Sequence, residues 1–93
     1  MFTIYQLDKA RNIRFTSRAL ATIEKKLNIK FTKLNSDNIG ITELYTILWA
    51  GLAHEDASLT IDKVMDLVDE YSSIEEASEK ITEAFETSFS KKK

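Results

Sequence analysis

The segment over residues 41–53, Ile-Thr-Glu-Leu-Tyr-Thr-Ile-Leu-Trp-Ala-Gly-Leu-Ala, constrains this chain more than any other. Leu44, Ile47, Leu48, Trp49 and Leu52 recur at helical spacing and leave almost no polar face. A helix apolar nearly all round has to be enclosed by other elements. In a chain of 93 residues, enough for one domain, those elements must come from the flanking sequence. Thr42 reads as the cap of this helix, with Ile41 before it placed to pack on the first turn. Gly51, between Ala50 and Ala53, reads as a point where a neighbouring helix comes close.

Three further segments supply covering faces. Thr16 or Ser17 caps a helix with Ala19, Leu20, Ile23 and Leu27 on one side and Arg18, Thr22, Lys25 and Lys26 on the other. Asn28, which tolerates the left-handed conformation, stops it. Thr60 caps a helix carrying Ile61, Val64, Met65, Val68 and Tyr71 inward, with Asp62, Asp66, Asp69 and Glu70 outward. Ser73 and Glu76 form a capping box for the last helix, whose stripe is Ile74, Ala77, Ile81, Ala84, Phe85 and Phe89. Glu75, Glu79, Lys80, Glu83 and Glu86 occupy its other face.

Ahead of the helices, residues 2–7 alternate as a strand. Asp8 to Asn12 read as a polar turn, and Ile13 and Phe15 as a short second strand. A lone hairpin is marginal in water, so it must pack on the helices. Ile29, Phe31 and Leu34 suggest a brief helical turn over 29–35, and a polar loop follows at 35–40. The expected fold is mainly α: a small bundle of four to five helices with a short N-terminal β-hairpin. It forms one domain over 1–93, divided into hairpin (1–15), bundle (16–89) and basic tail (90–93).

Composition removes most small-enzyme chemistries. No cysteine means no disulfide, thiolate nucleophile or cysteine-ligated metal; one histidine leaves no imidazole pair; two glycines make no phosphate cradle. Leu, Ile, Val and Phe make up 26 of the 93 residues, too many for a disordered chain. No signal-peptide pattern and no run of bilayer-spanning length is present, so a cytoplasmic location without membrane contact is expected.

Two acidic groupings could still bind something. His54, Glu55 and Asp56 are adjacent, so their side chains diverge where a metal site needs convergence. Asp62, Asp66 and Asp69 share one helix face, without the glycine-centred loop of a calcium site. That face can instead meet a basic partner helix. Tyr45 and Trp49 read as core aromatics, although an exposed tryptophan would mark an interface.

The net charge of −2 conceals +4 over residues 1–46 and −6 over 47–93. Such a split either cancels inside the fold or steers association, self-association included. The basic stretch from Arg11 to Lys33 raises nucleic-acid binding as an alternative. The acidic total charge and the missing helix-turn-helix pattern count against it.

Residues 44–70 also resemble the signature of phage tail assembly chaperones, including the related tail proteins of gene transfer agents. In that family a Leu-Trp-Ala-Gly-Leu helix, as at 48–52, leads into a His-Glu-Asp turn, as at 54–56, and a Leu-Thr-capped helix, as at 59–60. Residues 15–27 are similar to the family's strand and amphipathic helix ahead of the signature, so the likeness spans about residues 13–70. Ala57 departs from it, standing where many members carry proline.

The resemblance implies a non-enzymatic protein that holds the tape measure protein, or another tail protein, until the tail tube assembles. No cofactor or metal is implied. The partner-binding candidates are Trp49, His54, Glu55, Asp56, Asp62, Asp66 and Asp69. It further implies a longer, frameshifted form, for which codons of Lys91–Lys93 could supply the slippery run. A structural tail component and a small DNA-binding regulator are the alternatives.

Overall fold

The computed structural model describes residues 3–28 and 40–89, with side chains up to residue 86. Phe2, the turn expected over 29–35, the loop up to residue 39, the Phe89 side chain and the tail 90–93 lie outside the described residues. Strands β1 (Thr3–Gln6) and β2 (Ala10–Ile13) form an antiparallel hairpin. Helices α1 (Ser17–Leu27), α2 (Ile41–Leu52), α3 (Ile61–Tyr71) and α4 (Ile74–Phe89) follow. The molecule is therefore mainly helical with an N-terminal hairpin, as the patterning predicts.

The hairpin corrects one expectation. Gln6 pairs with Ala10, so the connection is only Leu7 to Lys9, and the expected turn residues Arg11 and Asn12 belong to β2. Thr3, Tyr5 and Leu7 form the buried side of the first arm, and Arg11, Ile13 and Phe15 that of the second. A charged residue thus occupies an inward position in the alternation, which hides the strand from a reading based on hydrophobicity.

The helix ends follow capping chemistry, with two departures. Thr16 Oγ1 accepts from the Ala19 N–H, and Thr60 Oγ1 from the Lys63 N–H, each at 3.1 Å. Asn28 ends α1 at φ 56°. At α2 the cap is Gly40, not Thr42: the Gly40 N–H donates to Glu43 Oε1 at 2.7 Å, and the helix begins earlier than expected. Ile41 is consequently the first helical residue, 53% exposed, and makes no staple. At α4, Ser73 Oγ accepts from the Glu76 N–H, but the Glu76 carboxylate turns to Ser72 Oγ, so only half of the expected box forms.

One apolar core joins hairpin and helices around α2, whose Tyr45, Ile47, Leu48 and Leu52 are buried. Tyr5 and Ile13 reach it from the hairpin, Ile23 from α1, Val64 and Val68 from α3, and Ala77, Ile81 and Ala84 from α4. Leu67 takes the inward place expected for Tyr71. Tyr71 and Ile74 are about half exposed because they flank the corner at which α3 hands over to α4.

Gly51 does mark a close approach, but to the hairpin arm and not to a helix. A Cβ there would lie 2.8 Å from Ile13 Cγ2 and 3.0 Å from the Phe15 ring, while the Gly51 carbonyl accepts from the Arg14 N–H at 2.9 Å.

Candidate functional site

The segment between α2 and α3 holds three of the predicted site residues together, and they act on the hairpin. Asn12 lies opposite Ile4 in the register. Its backbone N–H and side-chain amide both donate to the Glu55 carboxylate, at 3.2 and 2.6 Å. Its backbone carbonyl lies 2.8 Å from His54 Nε2. A carbonyl can only accept, so Nε2 carries the hydrogen in that bond. His54 and Glu55 thus satisfy both outward backbone groups of an edge-strand residue, which would otherwise be open to pairing with another chain. His54 lies just beyond α2, in the turn after Leu52.

Asp56 completes the clamp from the same turn. Arg11 is buried, and its guanidinium makes a two-point contact with Asp8, at 2.9 and 3.0 Å, and a 3.5 Å contact with Asp56. Asp56 also accepts from the Ser58 hydroxyl and N–H, at 2.5 and 3.1 Å, which shapes the approach to α3. These donors favour the charged carboxylates. The Asn12 side-chain amide holds Glu55 below its ordinary pKa; the Ser58 hydroxyl does the same for Asp56, and Arg11 for Asp8.

Trp49 serves the same segment. It is partly buried, and its indole N–H donates to the Leu59 carbonyl at 3.0 Å, tying the end of the turn to α2. Lys26 Nζ lies 5.4 Å from the centre of its ring, within cation–π range. Two residues that patterning does not single out belong to this constellation: Arg11, and Asn12 with its two backbone groups. Their signal in the sequence is only a charge and an amide in a short strand.

Asp62, Asp66 and Asp69 stand apart from the clamp. All three are exposed along one side of α3, and their side chains make no hydrogen bond or ion pair among the described residues. Glu75, Glu79, Glu83 and Glu86 expose further carboxylates on α4. Among the described residues, no group of three or more histidine or carboxylate side chains is placed to hold a metal ion, and no helix is long and apolar enough to cross a membrane. Half-exposed Tyr71 and Ile74 lie at the ends of these acidic helices.

The predicted residues therefore divide in two. Trp49, His54, Glu55 and Asp56 brace the hairpin and the α2–α3 turn, whereas Asp62, Asp66 and Asp69 face outward, where an external partner can reach them. Comparison of the chain with protein-family models, curated proteins and solved structures finds no match.

Proposed function

We propose that this protein is a non-enzymatic phage or prophage tail assembly chaperone that binds the tape measure protein in the bacterial cytoplasm during tail morphogenesis. The observation that carries the reading is the ordered likeness over 44–70. Its Leu-Trp-Ala-Gly-Leu, His-Glu-Asp and Leu-Thr elements fall on the end of α2, the clamp turn and the cap of α3. In this reading the clamp residues maintain the docking surface, and the acidic side of α3 meets the partner.

A long helical partner with apolar stripes needs cover until the tail tube forms around it. Tyr71 and Ile74 offer apolar contact at the α3–α4 corner, and Asp62, Asp66 and Asp69 offer charge to flanking lysines or arginines. Co-expression with the product of a tape-measure reading frame downstream tests this. The partner should become soluble and co-purify, and D62K/D66K/D69K should abolish co-purification while helicity is unchanged. No gain in solubility and no co-purification would refute the proposal. Recovery of the protein in purified particles would assign it to the finished tail instead.

A further inference from the structure

α1 and the C-terminal end of α2 leave a notch of about 180 Å³ between them. Its floor is apolar: Ala19 from α1, Trp49 and Ala50 from α2, and Ala53 at the cap of α2. Three alanines keep open a space that longer side chains would fill. The volume is close to the ~150 Å³ cavity that accepts a benzene ring, so it suits one leucine- or phenylalanine-sized side chain.

The rim is basic. Arg18 lines the notch, is exposed, and makes no side-chain hydrogen bond or ion pair among the described residues. Lys25 and Lys26 lie outside the lining of the notch, in the last turn of the same helix, the latter held over the Trp49 ring, and the first turn of α1 carries no acid. His54 closes the other side, fixed through Nε2–H to the Asn12 carbonyl. The neighbouring carboxylate, Glu55, is engaged by Asn12.

We infer that the notch between α1 and the end of α2 is a docking site for an acidic amphipathic segment of a partner protein, which seats one apolar side chain on the alanine floor beside a carboxylate that meets Arg18, with Lys25 further along the same helix. Charge complementarity selects the acidic partner. The apolar floor selects a peptide over a nucleic acid, because phosphates would gain from the rim but leave the floor unfilled. This site lies on the basic side of the molecule and goes beyond the reading proposed above, which concerns α3.

The test uses the full isotope-labelled chain and three probes: a Leu/Glu amphipathic helical peptide, its Leu/Lys counterpart, and a short DNA duplex. The Leu/Glu peptide should shift the Trp49 indole and the Ala19, Ala50 and Ala53 amides saturably, up to about millimolar peptide, the weak end of specific recognition. Arg18→Glu, on an exposed side chain, should weaken binding about tenfold or more. Ala53→Leu should block it with the far-UV spectrum and melting transition retained.

Equal binding of the Leu/Lys peptide, the same shifts with duplex, shifts confined to α3, no saturable response, or an indifferent R18E variant would each overturn the inference. None of these outcomes bears on co-purification through Asp62, Asp66 and Asp69, so the two proposals fail separately.

Discussion

At Gly51 a single methyl group decides whether the hairpin arm and the central helix fit together. Alanine there gains about 1 kcal/mol of helix propensity, but its Cβ would press on the Ile13 methyl and the Phe15 ring. Both neighbours are buried, so neither can swing into solvent. Overpacking of this kind costs about 1–3 kcal/mol. G51A should therefore lose up to about 2 kcal/mol net, read as a lower urea midpoint at unchanged slope.

Two buried tyrosines make a second residue-level contrast. The Tyr5 hydroxyl donates to Ser72 Oγ at 2.7 Å, which donates on to Glu76, whereas the buried Tyr45 hydroxyl makes no hydrogen bond among the described residues. Y5F should lose about 1 kcal/mol, while Y45F should be neutral or gain up to about 1 kcal/mol. Urea unfolding measures both, and equal losses would contradict the assignment. The sequence reveals that Gly51 needs room, since it sits among alanines in an apolar helix. It cannot reveal the neighbour, because the contact joins residues nearly forty positions apart in the chain.

At the scale of elements, β2 is the hardest to read from sequence and the α2–α3 turn the easiest to misassign. Arg11 looks like a turn residue only while its charge is taken to face water. Asp8, three residues earlier, and Asp56, from a distant turn, let it point inward. The diverging side chains of His54, Glu55 and Asp56 argue against a metal, and the same divergence lets them reach different groups on one strand. Helix starts are legible wherever a threonine or serine side chain caps, as at Thr16, Thr60 and Ser73. The start of α2 escapes such a reading because its cap is made by a glycine backbone and the Glu43 carboxylate.

The clamp predicts an acid response. Asp8, Glu55 and Asp56 have folded-state pKa values below their ordinary ones. Their contribution is present above the unfolded carboxylate values of about 4 and is lost as pH falls through the lower folded values. An NMR titration should show the Asn12 amide moving with the Glu55 carboxyl, with its midpoint below that of a free glutamate. E55Q should flatten that titration. An Asn12 midpoint at or above the ordinary glutamate value would show that the bond does not hold Glu55 charged.

At the scale of the whole molecule, the contacts between the +4 and −6 halves include an ion pair from the hairpin to the α2–α3 turn. Arg11–Asp56 joins them, while Asp8–Arg11 and Lys80–Glu83 each lie within one half, among the described residues. The core joins the halves as well. The hairpin places Tyr5, Leu7, Ile13 and Phe15 among the helices, and the Phe15 ring lies 4.5 Å from that of Phe85 on α4. A two-stranded hairpin has little stability of its own, and this one gains its order by closing the side of α2 left open at Gly51.

Hairpin and bundle should therefore open together. The Arg14 amide reports on that docking because it donates to the Gly51 carbonyl; the Leu48 amide reports on the centre of α2. Native-state hydrogen exchange should give both the free energy of global unfolding, with the same denaturant dependence. If Arg14 exchanges through an opening more than about 2 kcal/mol cheaper, over tenfold in equilibrium constant, the hairpin is a separable unit. The clamp of His54, Glu55 and Asp56 would then control its attachment. Equal values mean that these three residues and the core secure one cooperative structure, whose exposed basic and acidic faces remain available to partners.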